Sequence, residues 1–134
     1  MRVKDYMTNN IVVIERDKPV SEAKRLLDEN HFRHLPVVDD GKVVGIVSDR
    51  DINRTLAIAE SVRTVCGVET DKDMKIEDIM TGDFLSIGGD ESLRNAAKIM
   101  AERKIGCLPV VEDDRLVGII TETDIMRVFA EVAD

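Results

Sequence analysis

The sequence predicts an α/β fold made of two copies of one β-α-β-β-α unit, and three observations predict it. Residues 34–51, HLPVVDDGKVVGIVSDRD, return 73 positions later at 107–124 as CLPVVEDDRLVGIITETD. A gapless alignment of residues 3–52 with 76–125 leaves 17 of 50 pairs identical, among them Asp5/Asp78, Met7/Met80, Ile14/Ile87, Pro36/Pro109, Gly45/Gly118 and Asp51/Asp124. Within each copy, short apolar runs of strand character alternate with apolar residues at helical spacing. Two copies are too few for a solenoid, so each copy is expected to complete the core of the other.

The elements follow in order. Residues 3–7 (VKDYM) and 76–80 (IEDIM) are equivalent lead-ins, each followed by a threonine, Thr8 or Thr81. Residues 11–14 and 84–87 are short apolar runs suited to strands. Asp17 and Asp90 are expected helix N-caps, with Pro19 tolerated in the first turn. Val20, Ala23, Leu26 and Leu27 then recur at helical spacing, as do Leu93, Ala96, Ala97 and Met100. Second strands are expected at 35–38 and 108–111, with Pro36 and Pro109 near their starts. Asp40-Gly41 makes a hairpin turn, and Asp113-Asp114 takes the same place less ideally. Third strands follow at 43–47 and 116–120, where Gly45 and Gly118 signal close approach by another backbone or a ligand. Helices begin near Asp49 and Glu122. The boundaries are residues 1–59 for the first copy, 60–75 for a linker and 76–134 for the second copy.

Length and composition narrow the function classes. One copy alone, roughly 60 residues, would be marginal as a domain, whereas 134 residues support a shared core. No apolar run approaches the roughly 18 residues of a membrane span. The start, MRVKDYMTNN, lacks the apolar stretch of a signal peptide, so a cytoplasmic protein is expected, with no membrane association. The net charge of −8, without a basic cluster, argues against nucleic-acid binding. The aromatic residues are only Tyr6, Phe32, Phe84 and Phe129, too few for a base-stacking platform. Cys66 and Cys107 stand at no motif spacing and are expected as reduced, partly buried thiols. His31 and His34 lack partner ligands, so no metal site is expected. Asp39-Asp40 and Asp113-Asp114 are explained as hairpin tips. No phosphate loop, catalytic triad or Cys-x-x-Cys occurs, and the chain is not expected to be an enzyme.

The remaining motif is Ser48-Asp49-Arg50-Asp51, repeated as Thr121-Glu122-Thr123-Asp124 where a strand becomes a helix. A hydroxyl residue followed three positions later by a carboxylate has the form of a capping box. A helix start also offers free N–H groups and a positive dipole end to an anion. A hydroxyl there can meet phosphate, and a carboxylate can accept both hydroxyls of a ribose. The pattern alone leaves both readings open.

Taken together, the lead-in ending Met-Thr, the Leu-Pro-Val-Val strand, the Val-Gly-Ile strand and the closing hydroxyl-x-x-Asp resemble a tandem pair of cystathionine β-synthase (CBS) domains, the Bateman module. The resemblance covers nearly the whole chain. It implies intertwined repeats with pseudo-twofold symmetry and clefts between them that bind AMP, ADP, ATP or S-adenosylmethionine. By position, it implies that Asp51 and Asp124 hold ribose hydroxyls and that Ser48 and Thr121 meet phosphate. Residues after the Met-Thr pairs, Ile11, Val12, Phe84 and Leu85, would contact the base, with Thr8 and Thr81 joining the ligand-binding set. Leu35, Pro36, Leu108 and Pro109 would line the base pocket.

The copies differ at the phosphate end. Arg33, His34 and Arg50 of copy one become Gly106, Cys107 and Thr123 in copy two. Arginine can clamp phosphate with a fixed donor fork, so the first motif is expected to favour the more highly phosphorylated ligand. The function implied is a regulatory, energy-sensing module with an adenine nucleotide or S-adenosylmethionine as regulatory ligand and no obligatory cofactor. A homodimer is also implied, with its seam on the helices that follow Ser48 and Thr121, together with a regulated enzyme or transporter as partner. The alternative is a dimerisation or partner-docking module that needs no ligand.

Overall fold

Val3 and Ile76, equivalent positions of the two sequence copies, are each fully buried in a core otherwise supplied by the other copy. The computed structural model describes residues 1–67 and 74–134. Its two compact units comprise residues 1–11 with 84–134, and residues 12–83. The lead-ins are thus exchanged between the sequence copies. Each copy completes the other's core, as the duplication predicts.

In the unit of residues 12–83, β1 (Ile14–Glu15) runs parallel to β2 (His34–Asp39), which pairs antiparallel with β3 (Lys42–Ser48). Helix α2 (Val20–Asn30) buries Val20, Ala23 and Leu27, the face read from the sequence. Helix α3 (Asp49–Cys66) follows β3 directly and buries Ile52 and Ala59. Nothing in ESVRTVC stops this helix, so it continues past residue 59 until Gly67 caps it in the left-handed region at φ 70°. The expected linker therefore begins as helix, and part of its polar second half, residues 68–73, lies outside the described residues. A 3₁₀ turn at Ile76–Asp78 places Ile76 in the core with Ile14, Val20, Ala23, Leu27, Leu35, Val37, Val47 and Ile52. Burying a side chain of that size stabilises by about 1.5–3 kcal/mol.

The unit of residues 1–11 with 84–134 repeats the plan. It holds α1 (Val3–Tyr6), α4 (Leu93–Arg103), the antiparallel pair β4 (Cys107–Glu112) and β5 (Arg115–Thr121), and α5 (Glu122–Val132). Val3 packs with Ile87, Leu93, Ala96, Met100, Leu108, Val110, Ile120 and Val128. Both hairpins carry the same register shift, after Val37 in one and after Val110 in the other. Their tips are alike as well. Asp40 and Gly41 have φ 53° and 78°, and Asp113 and Asp114 have φ 49° and 64°, as a two-residue primed turn requires.

Three expectations need correction. The run at 11–14 forms strand only from Ile14, because residue 14 is the first to find a partner on β2. The run at 84–87 makes only an isolated bridge, Ile87 with Val110. The helix caps also differ. Pro19 takes the N-cap position of α2 without a side-chain bond, and Ser92 caps α4 by accepting from the amide of Asn95. Asp90 instead accepts from Lys4 Nζ at 2.8 Å, which holds its carboxyl below the usual carboxylate range.

Candidate functional site

Each hydroxyl-x-x-Asp motif forms where the third strand of its copy turns directly into a helix. Ser48 is the N-cap of α3: its Oγ accepts from the Asp51 amide at 3.1 Å and donates to Asp51 Oδ2 at 2.9 Å. Thr121 is the N-cap of α5 and closes a full capping box. Its Oγ1 accepts from the Asp124 amide at 3.2 Å, and its amide donates to Asp124 Oδ2 at 2.9 Å. The capping reading holds in both copies. It does not exclude a ligand, because a carboxylate has acceptor directions beyond those a cap uses.

The lead-ins arrive at these motifs crosswise. Thr8 and Ile119 exchange both backbone hydrogen bonds, and so do Thr81 and Ile46. Gly118 and Gly45 permit this approach. A Cβ on Gly118 would lie 2.5 Å from Met7 Sδ and 3.0 Å from the Thr8 carbonyl, and one on Gly45 would lie 2.6 Å from Met80 Sδ. The glycine signal in the sequence is therefore explained by backbone and methionine approach.

The candidate residues now sort by unit. Val12, Arg33, His34, Leu35, Pro36, Ser48, Arg50, Asp51 and Thr81 belong to the unit of residues 12–83. Thr8, Ile11, Phe84, Leu85, Cys107, Leu108, Pro109, Thr121, Thr123 and Asp124 belong to the other. No signal in the sequence assigns Thr8 to the motif of the second copy, since the pairing depends on the exchange of lead-ins.

Local geometry revises the expected roles. At α3 the first three amides are all engaged: Asp49 donates to the Arg33 carbonyl, Arg50 to Asp49 Oδ1 and Asp51 to Ser48 Oγ. Free amide donors for an anion, expected from the helix start, are absent from this turn. Cationic side chains remain: Arg33 and Arg50 are exposed and form no ion pair among the described residues. Leu35 and Leu108 are core side chains, and Pro36 and Pro109 are fully buried with them. Ile11, Val12 and Phe84 are half-buried and Leu85 is exposed.

Cys107 replaces His34 beside the second motif, and the difference is chemical as well as steric. Burial, with the Glu122 charge adding, pushes its thiol up to about 12. It is therefore a neutral, inert side chain at physiological pH, and it contributes no charge to this motif. Cys66, at the end of α3, is exposed and not partly buried as expected.

A family model described as the CBS domain matches residues 3–58 and 76–131. The chain belongs to the CBS domain family. Protein MJ1225 of Methanocaldococcus jannaschii is 33% identical over 131 residues, covering 96% of this chain and 47% of its own length. The CBS domain pair of protein MJ0100, solved with 5′-methylthioadenosine and S-adenosyl-L-methionine, is 32% identical with a TM-score of 0.83, covering 98% of this chain and 97% of that one. CBSX2, solved with AMP, is 31% identical with a TM-score of 0.78, covering 99% and 98%. The chain spans 23% to 47% of the length of the first curated relatives it matches, several of which are larger enzymes.

Proposed function

We propose that this CBS pair is a regulatory module that senses an adenosine-containing small molecule, with Ser48 and Asp51 facing the ribose and phosphate. The carrying observation is the state of Asp51. It is half-buried, and its described side-chain bond is to Ser48 through Oδ2. Oδ1 is left to accept from a diol, while Arg33 and Arg50 stand exposed at the neighbouring strand and helix starts. Complexes of similar CBS pairs with S-adenosyl-L-methionine, 5′-methylthioadenosine and AMP support the ligand class. Two arginines favour a phosphorylated ligand over a cationic sulfonium, which places AMP or ATP ahead of S-adenosylmethionine.

The module acts by differential affinity: a ligand that binds one arrangement of the chain better shifts its population. Its role is regulatory and not catalytic, in a cytoplasmic setting. The regulated partner is an enzyme or transporter. A homodimer completes the picture. Helix α5 exposes Met126, Phe129 and Val132, and α3 exposes Ile58 and Val65, on the two helices expected to form a seam. Calorimetric titration with AMP, ATP and S-adenosylmethionine tests the ligand class. Micromolar binding, about −8 kcal/mol, supports it, and heat silence towards all three contradicts it.

A further inference from the structure

The two motifs are alike in sequence and built for different work. Asp124 is only 7% exposed, the one buried charged residue among those described. Its Oδ2 accepts from the Thr121 amide at 2.9 Å and from Thr121 Oγ1 at 3.0 Å. The Thr8 hydroxyl, arriving from the lead-in, faces both oxygens at 3.3 and 3.4 Å. Thr8 is fixed there by its backbone as well, donating to the Ile119 carbonyl at 2.8 Å and accepting from the Ile119 amide at 3.1 Å. Arg2 and Lys4, from the same lead-in, reach the loop before α4 through Asp90.

The counterpart differs at each point. Thr81 is exposed and makes no described hydrogen bond to Asp51, and Asp51 does not reach back to the Ser48 amide. Charge differs too. Asp49 and Asp51 stand with Arg33 and Arg50, whereas Glu122 and Asp124 have Gly106 and Thr123 at those positions. At these positions the first motif offers an anionic ligand two arginines, and the second offers none.

We infer that the duplicated motif has divided its labour: Thr121–Asp124 is a latch that fastens the N-terminal lead-in, and Ser48–Asp51 alone receives the ligand, one per chain. The inference rests on the adenosine reading above and adds its location and stoichiometry. A ribose diol needs carboxylate lone pairs that point to solvent. Those of Asp124 are buried and already face three donors, so a ligand there would have to displace Thr8 and loosen the clasp between Thr8 and Ile119.

The test compares Asp51→Asn, Asp124→Asn and Thr8→Val in the full chain, with AMP and ATP as probes. Each variant is read by titration, thermal midpoint and amide exchange. The wild type is expected to bind one nucleotide per chain. Asp51→Asn should weaken that binding at least tenfold and leave the exchange of Thr8 and Ile119 unchanged. Asp124→Asn should lower the midpoint and speed exchange at Thr8 and Ile119, but not at Ile46 and Thr81, with the nucleotide constant kept within threefold. Thr8→Val removes a single hydroxyl and should show the same local signature if Asp124→Asn proves too unstable to study. Two equal sites in the wild type, or binding lost with Asp124→Asn and kept with Asp51→Asn, would overturn the division alone. Silence of the folded wild type towards both nucleotides would overturn the adenosine reading, and this inference with it.

Discussion

Thr8 and Ile119 exchange both of their backbone hydrogen bonds, at 2.8 and 3.1 Å, and Thr81 and Ile46 repeat the exchange at 2.8 and 3.0 Å. These two clasps carry the lead-ins onto the opposite sequence copies, and each lies against a glycine. Gly118→Ala would drive a Cβ into Met7 Sδ and crowd the Thr8 carbonyl. A cost of about 1–3 kcal/mol is expected in urea unfolding, as for other overpacked sites. Met7→Ala in the same chain should recover part of it, a coupling that a double-mutant cycle reads directly. An unchanged urea midpoint for Gly118→Ala would contradict the close approach.

The caps should rank unequally. Ser48→Ala removes the side-chain cap of α3 and should cost about 1 kcal/mol. Thr121→Ala removes the corresponding cap of α5 and also strips a donor from the buried Asp124 carboxylate. Leaving a buried charge with fewer hydrogen bonds is the costlier change, about 1.5–3 kcal/mol. Equal losses on chemical denaturation would mean that Asp124 is better solvated than its burial indicates.

Cys107 gives the chain a slope at alkaline pH. The unfolded thiol ionises near pH 9, whereas burial holds the folded one protonated up to about 12. Above pH 9 the unfolded state therefore binds fewer protons than the folded state, and stability falls as pH rises towards 12. About 1 kcal/mol should be lost by pH 10 in the wild type relative to Cys107→Ala. Urea midpoints of the two proteins between pH 8 and 10.5 check this, and parallel curves would refute it. At neutral pH the exposed Cys66 should alkylate first, with Cys107 protected until unfolding.

The proposed homodimer seam falls on apolar side chains that the helices leave exposed. Phe129 is 64% exposed and lies between Met126 and Val132 on α5. Phe129→Glu is expected to shift sedimentation from dimer to monomer without changing the far-ultraviolet spectrum. A wild type that sediments as a monomer at micromolar concentration would refute the dimer.

Most of the fold was legible because the chain states its plan twice. The hairpins, the helices after Ser48 and Thr121 and the buried faces of α2 and α4 follow from periodicity and turn chemistry that recur at the same offset. Local signals failed where tertiary partners decide. Asp17 and Asp90 have good cap chemistry, yet the chain enters α2 through Pro19 and gives Asp90 to Lys4. The length of α3 was hidden because the polar, Gly-containing second half of residues 60–75 set the whole stretch down as a linker, whereas residues 60–66 carry no helix breaker and continue the helix to Gly67. The repeated caps were legible, and so was the charge difference between Arg33 and Arg50 in one copy and Gly106 and Thr123 in the other, but the burial of Asp124 under the Thr8 hydroxyl was not. It comes from Thr8 reaching Asp124 across 116 positions, and no local pattern encodes that reach.

The most direct measurement is a calorimetric titration of the full chain with AMP, in parallel with Asp51→Asn. The carboxamide keeps the shape of Asp51 and removes its charge and one acceptor, so it isolates the contact with the ligand. Micromolar binding in the wild type and at least tenfold weaker binding in the variant, with both proteins equally folded, is the result expected. Equal affinity in the two proteins would contradict Asp51 as the ribose acceptor and, with it, the site on which the proposed function stands.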